Sequence, residues 1–225
     1  MIEQLLARRG YGYGSGMLSP NHLQFVVNIP KNASSFVHSW TSAFGWRANL
    51  INQNIYRIGE IIVILRDPVD RWISGIAQYI NTYILSVVGP NGPIFPGEST
   101  TEFDYSMTAD DFVNGYNQNT ERLLFDVIFQ FDDHVWPQID FFNNLYPEKR
   151  RTYFYLDSNF NAKFASYLNI NNINDIDQNS SLSNKNMKTL HDFFTDRLIT
   201  RPELKHRIIK AYSRDYELIN SVTFQ

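Results

Sequence analysis

The stretch Glu60-Ile-Ile-Val-Ile-Leu65 is the feature that most constrains the fold of this chain. It is apolar on both faces, which is typical of a central strand in a parallel β-sheet. Arg66, Asp67 and Pro68 end it, and Asp67 suits a helix N-cap while Pro68 suits the first turn of a helix. Apolar residues then recur at helical spacing over about 69–88. This strand followed by a helix indicates an α/β protein.

A second strand-and-helix unit precedes the first. Residues 24–29 are predicted to form a buried strand, and Ser35 to Phe44 a helix with an apolar side. The loop between them, Pro30-Lys-Asn-Ala-Ser34, carries a lysine and a hydroxyl at the start of that helix. Backbone N–H groups, an ammonium group and hydroxyls in this arrangement favour a phosphate or sulfonate site.

The other segments complete a single α/β domain with a central parallel β-sheet flanked by helices. Residues 151–156 are predicted as a third strand, and helices are expected at 108–112, 120–129, 161–168, 187–198 and 202–222. Residues 46–56 show no regular pattern. We assign 1–20, with the glycines between Gly10 and Gly16, to a flexible N-terminal arm and 21–225 to the domain.

Composition excludes several classes of function. A net charge of −3 over 225 residues argues against a nucleic-acid-binding protein, so an anion site must be a local cluster of Lys and Arg. The absence of cysteine excludes disulfides and thiolate metal sites. No run of eighteen apolar residues or secretory leader is seen, so we expect a cytoplasmic protein without a membrane span. No metal is expected, and the oligomeric state is left open.

Two cations are predicted to meet at one edge of the sheet. Lys31 and Arg66 both follow predicted parallel strands, and ligands of such sheets bind outside the carboxyl ends of the strands. Ser74 lies about two turns into the helix after Arg66 and can lean back toward the strand end. The loop has no glycine and its lysine comes early, which disfavours an ATP-binding Walker A loop.

These residues resemble a known family. Ile29-Pro-Lys-Asn-Ala-Ser-Ser-Phe36 is similar to the 5′-phosphosulfate loop of the PAPS-dependent sulfotransferases, and Leu65-Arg-Asp-Pro-Val-Asp-Arg-Trp-Ile-Ser-Gly75 to their 3′-phosphate motif. Looser matches follow the order of carbohydrate sulfotransferases and extend the resemblance over residues 20–222. They comprise Phe112-Val113, Asp133-His-Val-Trp-Pro-Gln138, Asn179-Ser180 and Tyr212-Ser-Arg-Asp-Tyr216.

The resemblance implies a P-loop-NTPase-like fold and roles for single residues. Lys31 would contact the sulfate and bridging oxygen of PAPS (3′-phosphoadenosine 5′-phosphosulfate), and PAP would be the product. The remaining cofactor contacts it implies are the loop residues Asn32 and Ala33, Ser34 and Ser35 at the 5′-phosphate, and Arg66 and Ser74 at the 3′-phosphate. Phe36 either stacks under adenine or belongs to the core, and Arg71 is expected in an ion pair with a carboxylate. The sequence departs from the family at Asn32-Ala33, where many members carry glycine, and Asn tolerates a positive φ.

The implied reaction is an in-line transfer of a sulfuryl group to an acceptor, for which a carbohydrate hydroxyl is favoured. His134 is the leading candidate for the base, because imidazole titrates near neutrality. The other candidates are Glu102, Asp104 and Asp133. Two alternatives stay open, a non-catalytic PAP-binding protein of the same fold and a kinase-like phosphotransferase. Residues 89–105, 125–146 and 169–186 are expected to line the acceptor site.

Overall fold

The computed structural model describes residues 15–50, 58–85, 108–126, 133–142, 150–169 and 184–225. Within these ranges lie five strands and eight α-helices. The strands are β1 Ser15–Leu18, β2 Gln24–Val27, β3 Arg47–Leu50, β4 Glu60–Leu65 and β5 Arg150–Tyr155. The helices are α1 Ser34–Ala43, α2 Pro68–Tyr79, α3 Ala109–Gly115, α4 Gln118–Asp126, α5 Phe160–Tyr167, α6 Lys185–Thr200, α7 Pro202–Ala211 and α8 Ser213–Ser221.

The strands form one mixed sheet in the order β3-β1-β2-β4-β5. β2, β4 and β5 run parallel, whereas β1 is antiparallel to both β2 and β3. The α/β class is therefore confirmed. The prediction of a parallel sheet is wrong for β1, which pairs with β2 and β3 in antiparallel orientation. The physical reason is the short connection from β1 to β2, because five residues can join antiparallel neighbours but cannot cross over to a parallel one.

Strands β1 and β3 were missed in the sequence. Residues 15–20 were assigned to the flexible arm, yet Ser15–Leu18 lie inside the sheet between β2 and β3. Gly16 is a glycine because a Cβ atom there would lie 2.0 Å from the carbonyl oxygen of Val26. Residues 47–50, predicted as irregular, form the edge strand β3. Residues 1–14 and 51–57 lie outside the described ranges.

The apolar run of β4 divides between the two faces of the sheet, as its period of two requires. Ile61, Val63 and Leu65 pack in one cluster with Phe25 of β2 and with the aromatic residues at 136–142. The alternate residues Ile62 and Ile64 pack in a second cluster under α1 and α5. A third cluster joins α2 to α3, α4, α6 and α7. All six residues of β4 are buried, so the prediction of a central strand is confirmed.

Most predicted helices occur with shifted ends. Asp67 caps α2 as predicted, since its Oδ1 accepts hydrogen bonds from the N–H groups of Val69 and Asp70 at 2.9 and 3.0 Å. The helix predicted over 69–88 is α-helical only to Tyr79 and continues as a π-helical segment, Ile80–Leu85. No helix in the described part of the chain combines the length and the apolarity needed to cross a bilayer.

Candidate functional site

The candidate site lies where the parallel strands β2 and β4 end. The loop after β2 carries Lys31, and Arg66 is the first residue after β4. The Nη1 atom of Arg66 donates a hydrogen bond to the carbonyl oxygen of Lys31 at 3.2 Å. The guanidinium of Arg66 thus contacts the backbone of Lys31, although the two residues are 35 apart in the chain, while the lysine ammonium extends to α2.

The loop before α1 has an unusual backbone. Lys31 and Ala33 have φ angles of 67° and 58°, in the left-handed region that favours glycine. Asn32, the residue expected to tolerate a positive φ, is not among the positive-φ residues. Ala33 is the N-cap of α1, and no side chain caps the first turn of this helix. Because the first N–H groups of a helix lack intrahelical acceptors, this end of α1 favours an anion.

The side chain of Asn32 anchors the loop to the sheet. It is 2% exposed, and its Nδ2 atom donates to the carbonyl oxygen of Ile64 at 2.7 Å and to Oε1 of Gln138. The Nδ2 group is therefore committed to protein partners on β4 and on the 3-10 turn Gln138–Phe141, whereas the buried Oδ1 atom has no hydrogen-bond partner in the described part of the chain. The cofactor contact predicted at Asn32 stays a prediction.

Lys31 reaches across to α2. Its Nζ atom donates to Oε1 of Gln78 at 3.0 Å, and Nε2 of Gln78 donates to Oγ1 of Thr82 at 2.6 Å. Ser74 is buried and lies four residues before Gln78, so both belong to the same face of α2. Lys31, predicted at the sulfate, lies on a loop that contacts α2, the helix that carries Ser74, predicted at the 3′-phosphate. Gln78, for which no role was predicted, connects the side chain of Lys31 to α2.

Arg66 lies among acidic residues and one histidine. Burial lowers the pKa of its guanidinium, while the carboxylates of Asp70 and Asp67 raise it, and arginine stays protonated in either case. Burial, followed by the positive charge of Arg66, lowers the pKa of His191 on α6. No role was predicted for His191 from the sequence.

Arg71 joins three segments of the site. Its side chain is 1% exposed, and burial lowers its pKa. Nε donates to the carbonyl oxygen of Pro30 at 2.9 Å, and the two Nη atoms donate to the carbonyls of Trp136 and Asp133. The sequence predicted an ion pair with a carboxylate, but the observed hydrogen bonds go to backbone carbonyls. These hydrogen bonds hold Pro30, at the start of the Lys31 loop, close to residues 133–136.

Asp215 of α8 binds the backbone of the 3-10 turn that contains Gln138, the partner of Asn32. It is 1% exposed, and its carboxylate accepts the N–H groups of Gln138 and Ile139 at 2.8 and 3.0 Å. Burial raises the pKa of this carboxyl, and the two backbone hydrogen bonds oppose that rise. The hydroxyl of Tyr212 donates to the carbonyl of Val135, and that of Tyr216 to Oδ2 of Asp67 at 3.2 Å. The stretches 133–138 and 212–216, quoted for the resemblance, thus pack together behind the site.

His134 lies beside α2. A Cβ atom on Gly75 would lie 2.4 Å from the carbonyl oxygen of His134, so this glycine permits the close approach of the two segments. Nδ1 of His134 is 3.3 Å from Oδ1 of Asp133, and its side chain is 30% exposed. The predicted base is therefore next to the turn of α2 that carries Ser74. Glu102 and Asp104, two further candidates for the base, lie outside the described residues.

Phe36 has aromatic neighbours that favour the core alternative. Its ring stacks on Trp40 with the centroids 5.6 Å apart and meets the edge of Phe160 at 6.3 Å. It is partly buried against the cluster under α1 and α5. A stacking contact with adenine stays a prediction.

A cavity of about 660 Å³ lies between α1 and strands β1–β3 and is referred to below as the α1 cavity. Its polar lining consists of serine hydroxyls, asparagine amides and the imidazole of His38. The serines and asparagines are Ser15, Ser34, Ser35, Ser39, Asn28 and Asn32. The cavity thus reaches the first turn of α1, where the 5′-phosphate contacts were predicted. The acceptor site was expected to be lined by 89–105, 125–146 and 169–186. Of these segments, residues 89–105, 127–132, 143–146 and 170–183 lie outside the described ranges.

The described ranges hold no group of three or more His, Cys, Asp or Glu side chains placed to share a metal ion. A scan of protein-family models gave no match to the chain, and searches of curated proteins and of solved structures also gave none.

Proposed function

We propose that this protein is a PAPS-dependent sulfotransferase with the P-loop-NTPase-like fold of that family. The observation that carries the proposal is the contact between the Arg66 guanidinium and the Lys31 carbonyl, at 3.2 Å. It joins two cationic residues that follow different strands at one edge of the sheet, beside a helix N-terminus that no side chain caps, and this supports the proposal. A nucleotide with phosphates at both the 5′ and 3′ positions has the charge distribution that such a pair would bind.

The residues divide between the two ends of that nucleotide. The N–H groups at Ser34 and Ser35, with the positive end of the helix dipole, would hold the 5′-phosphate. Arg66 and Ser74 would hold the 3′-phosphate. Lys31, whose Nζ atom donates to the side-chain amide of Gln78, would direct its positive charge to the sulfate.

The protein's residues would act by positioning and by neutralising charge. In the transfer, the bond between sulfur and the oxygen that bridges it to the 5′-phosphate breaks as the acceptor oxygen bonds to sulfur. Lys31 would stabilise the negative charge that develops on the bridging oxygen as it leaves with PAP. His134 would accept the proton that the acceptor hydroxyl loses.

Ligand-dependent unfolding tests the proposal. PAP should raise the unfolding temperature of the wild-type protein, whereas ATP with Mg²⁺ should not, because a ligand that binds only the folded state stabilises it by RT ln(1 + [L]/Kd). Lys31→Ala should abolish the PAP-dependent shift, and Arg122→Ala should retain it, since Arg122 is 81% exposed on α4. Stabilisation by ATP with Mg²⁺ but not by PAP would instead indicate the kinase-like alternative.

Transfer of labelled sulfate separates catalysis from binding. A sulfotransferase should move radioactive sulfate from labelled PAPS to at least one sugar, phenol or peptide acceptor. Binding of PAP without transfer to any acceptor would identify a non-catalytic PAP-binding protein of the same fold.

A further inference from the structure

A second cavity lies apart from the α1 cavity, where the turn between α3 and α4 packs against the C-terminal half of α6. Its volume is about 330 Å³, and it is called the α6 cavity below. Its described lining includes the rings of Tyr116 and Phe193 and the charged side chains of Glu121, Arg197 and Arg201. None of the described lining residues is among those assigned to the nucleotide or to the acceptor proton. The α6 cavity is therefore a separate site that the proposed function does not use.

Two arginines of the α6 cavity share one buried carboxylate. Glu121 is 7% exposed, and its Oε2 atom accepts a hydrogen bond from Nε of Arg197 at 2.7 Å and lies 2.5 Å from Nη2. Its Oε1 atom is 3.3 Å from Nη1 of Arg201. Nε of Arg201 also donates to Glu203, an exposed residue of α7 that is not in the described lining. The described lining thus holds two guanidinium groups and one carboxylate.

These contacts leave several donors unused. A guanidinium has five N–H donors and no acceptor. Nη1 of Arg197 and Nη2 of Arg201 have no hydrogen-bond partner in the described part of the chain. The hydroxyl of Tyr116 is buried and also lacks a partner there. Burial, followed by the negative charge of Glu121, raises the pKa of Tyr116, so its hydroxyl stays protonated and can donate.

The unused donors select a group that only accepts hydrogen bonds. An ionised carboxylate has two acceptor oxygens and no donor, and its shape matches the fork of a guanidinium. A hydroxyl or an amide would bring further donors to a site that already has an excess of them. The charge of Arg201 also favours an anion over a neutral acceptor.

The remaining walls of the α6 cavity favour an apolar body on the ligand. The ring of Phe193 meets that of Tyr116 edge to face with the centroids 4.9 Å apart, and Val113 adds an aliphatic surface. The guanidinium of Arg197 lies 5.7 Å from the centroid of the Tyr116 ring and restricts that wall further. The volume is at the lower end of the range of roughly 300–1,000 Å³ for small-molecule sites, so the space suits a molecule of about one ring.

We propose that the α6 cavity binds a small carboxylate with an aromatic or aliphatic body. The carboxylate of the ligand accepts hydrogen bonds from Arg201 and from the hydroxyl of Tyr116, and its body packs against Phe193 and Val113. Arg197 stays bound to Glu121 and holds the wall in place. This site does not depend on the proposed sulfotransferase function.

Calorimetric titration with benzoate and phenylacetate tests the proposal, and benzamide and phenylacetamide are the neutral comparisons of the same shape. Arg201→Gln removes the charge, and Tyr116→Phe removes only the hydroxyl. Arg122→Gln is the matched control, because Arg122 is 81% exposed on α4 and is not in the described lining. Without ligand, Tyr116→Phe should unfold at the wild-type temperature or above it, because the hydroxyl it loses is buried without a partner. Weaker binding in this variant would then not reflect a loss of structure.

At least one carboxylate should bind the wild type and Arg122→Gln with similar affinity, and should bind Arg201→Gln and Tyr116→Phe at least about tenfold more weakly. The amides should bind none of these proteins, and saturating PAP should leave the affinity for the carboxylate unchanged. The proposal is overturned if neither carboxylate binds the wild type, as expected of ion pairs that only support the fold, or if the amides bind equally well. Wild-type affinity in either folded cavity variant, or competition between the carboxylate and PAP, would overturn it too. Failure of PAP to bind would refute the proposed function alone, because the titrations without PAP decide the α6 cavity.

Discussion

The side-chain amide of Gln138 forms hydrogen bonds with both backbone polar groups of Arg66. The N–H of Arg66 donates to Oε1 of Gln138 at 2.9 Å, and Nε2 of Gln138 donates to the carbonyl oxygen of Arg66 at 2.9 Å. The amide thus continues the ladder of β4 one residue beyond its last strand position. Because Oε1 also accepts from Asn32, one buried side chain fixes the backbone of Arg66 and the Lys31 loop together.

Replacing Gln138 by methionine should destabilise the fold. Methionine has a similar length but removes the side-chain hydrogen bonds of Gln138 to the backbone of Arg66 and to the amide of Asn32. It also removes the contact of Nε2 with Oδ2 of Asp215 at 3.4 Å. We expect the free energy of unfolding to fall by about 2–4 kcal/mol, as measured by urea denaturation. Gln118→Met, at an exposed position of α4, is the matched control and should stay within about 0.5 kcal/mol of the wild type. Equal stabilities for the two variants would show that the Gln138 network contributes nothing.

Glycine at position 33 should stabilise the protein. Ala33 has a φ of 58°, and a Cβ atom in this region costs about 1–2 kcal/mol that glycine avoids. After the larger entropy loss of glycine on folding, we expect Ala33→Gly to raise the free energy of unfolding by about 0.5–1 kcal/mol. Ala162→Gly, exposed within α5, should lower it by about 0.8 kcal/mol. A loss of stability in Ala33→Gly would contradict the left-handed assignment.

The Glu60 carboxylate should make stability depend on pH. Burial opposes its ionisation, but hydrogen bonds from Thr152, Tyr167 and Gln24 outweigh that effect, so its pKa is lowered. A lowered pKa in the folded state stabilises the protein above the pKa of the unfolded state. That stabilisation is lost as pH falls through the folded value.

Glu60→Gln should therefore be less stable than the wild type at pH 7, by about 1–2 kcal/mol. The difference should shrink as the pH falls below about 4.3, the ordinary pKa of glutamate. Denaturation at a series of pH values measures it, with Glu217→Gln at an exposed position of α8 as the control. A difference that did not change with pH would rule out the carboxylate as its source.

His134 should affect turnover rather than nucleotide binding. If it accepts the proton of the acceptor, His134→Gln should lower kcat by about 10²–10⁴-fold and leave the Kd of PAP unchanged. His206→Gln, exposed on α7, should retain wild-type turnover. A normal kcat in His134→Gln would remove His134 from the reaction, and a weakened affinity for PAP would indicate a structural role instead.

The local parts of the fold could be predicted because their signals are local. The apolar run of β4 and the Asp67-Pro68 start of α2 have short-range causes, and both are confirmed. β1 was missed because its sequence, Ser-Gly-Met-Leu, follows glycines that are typical of loops. Gly16 is required instead by the approach of Val26 from the neighbouring strand, which no local pattern reveals.

In the candidate site, too, features with a local sequence signal could be predicted and contacts between distant segments could not. The positions of Lys31 and Arg66 after parallel strands predicted their proximity, because parallel strands end at one edge of the sheet. Lys31 is held by Gln78, 47 residues away in the chain, and the backbone of Arg66 by Gln138, 72 residues away. Gln138 is itself held by Asp215, another 77 residues along the chain. Such contacts depend on how α2 and α8 pack. The motif stretches could be recognised, but the supporting roles of Gln138 and Asp215 could not be assigned from them.

The most direct test of the account compares PAP with AMP, which lacks the 3′-phosphate. Calorimetry on the wild type should give an affinity for PAP about 10- to 100-fold higher than for AMP, since a hydrogen bond to a charged group contributes about 1.5–3 kcal/mol. Arg66→Ala should bind PAP and AMP almost equally, with the affinity for AMP unchanged, and Arg122→Ala should keep the wild-type preference. An Arg66→Ala protein that still prefers PAP as strongly as the wild type would contradict the assignment of Arg66 to the 3′-phosphate and, with it, the proposed nucleotide site.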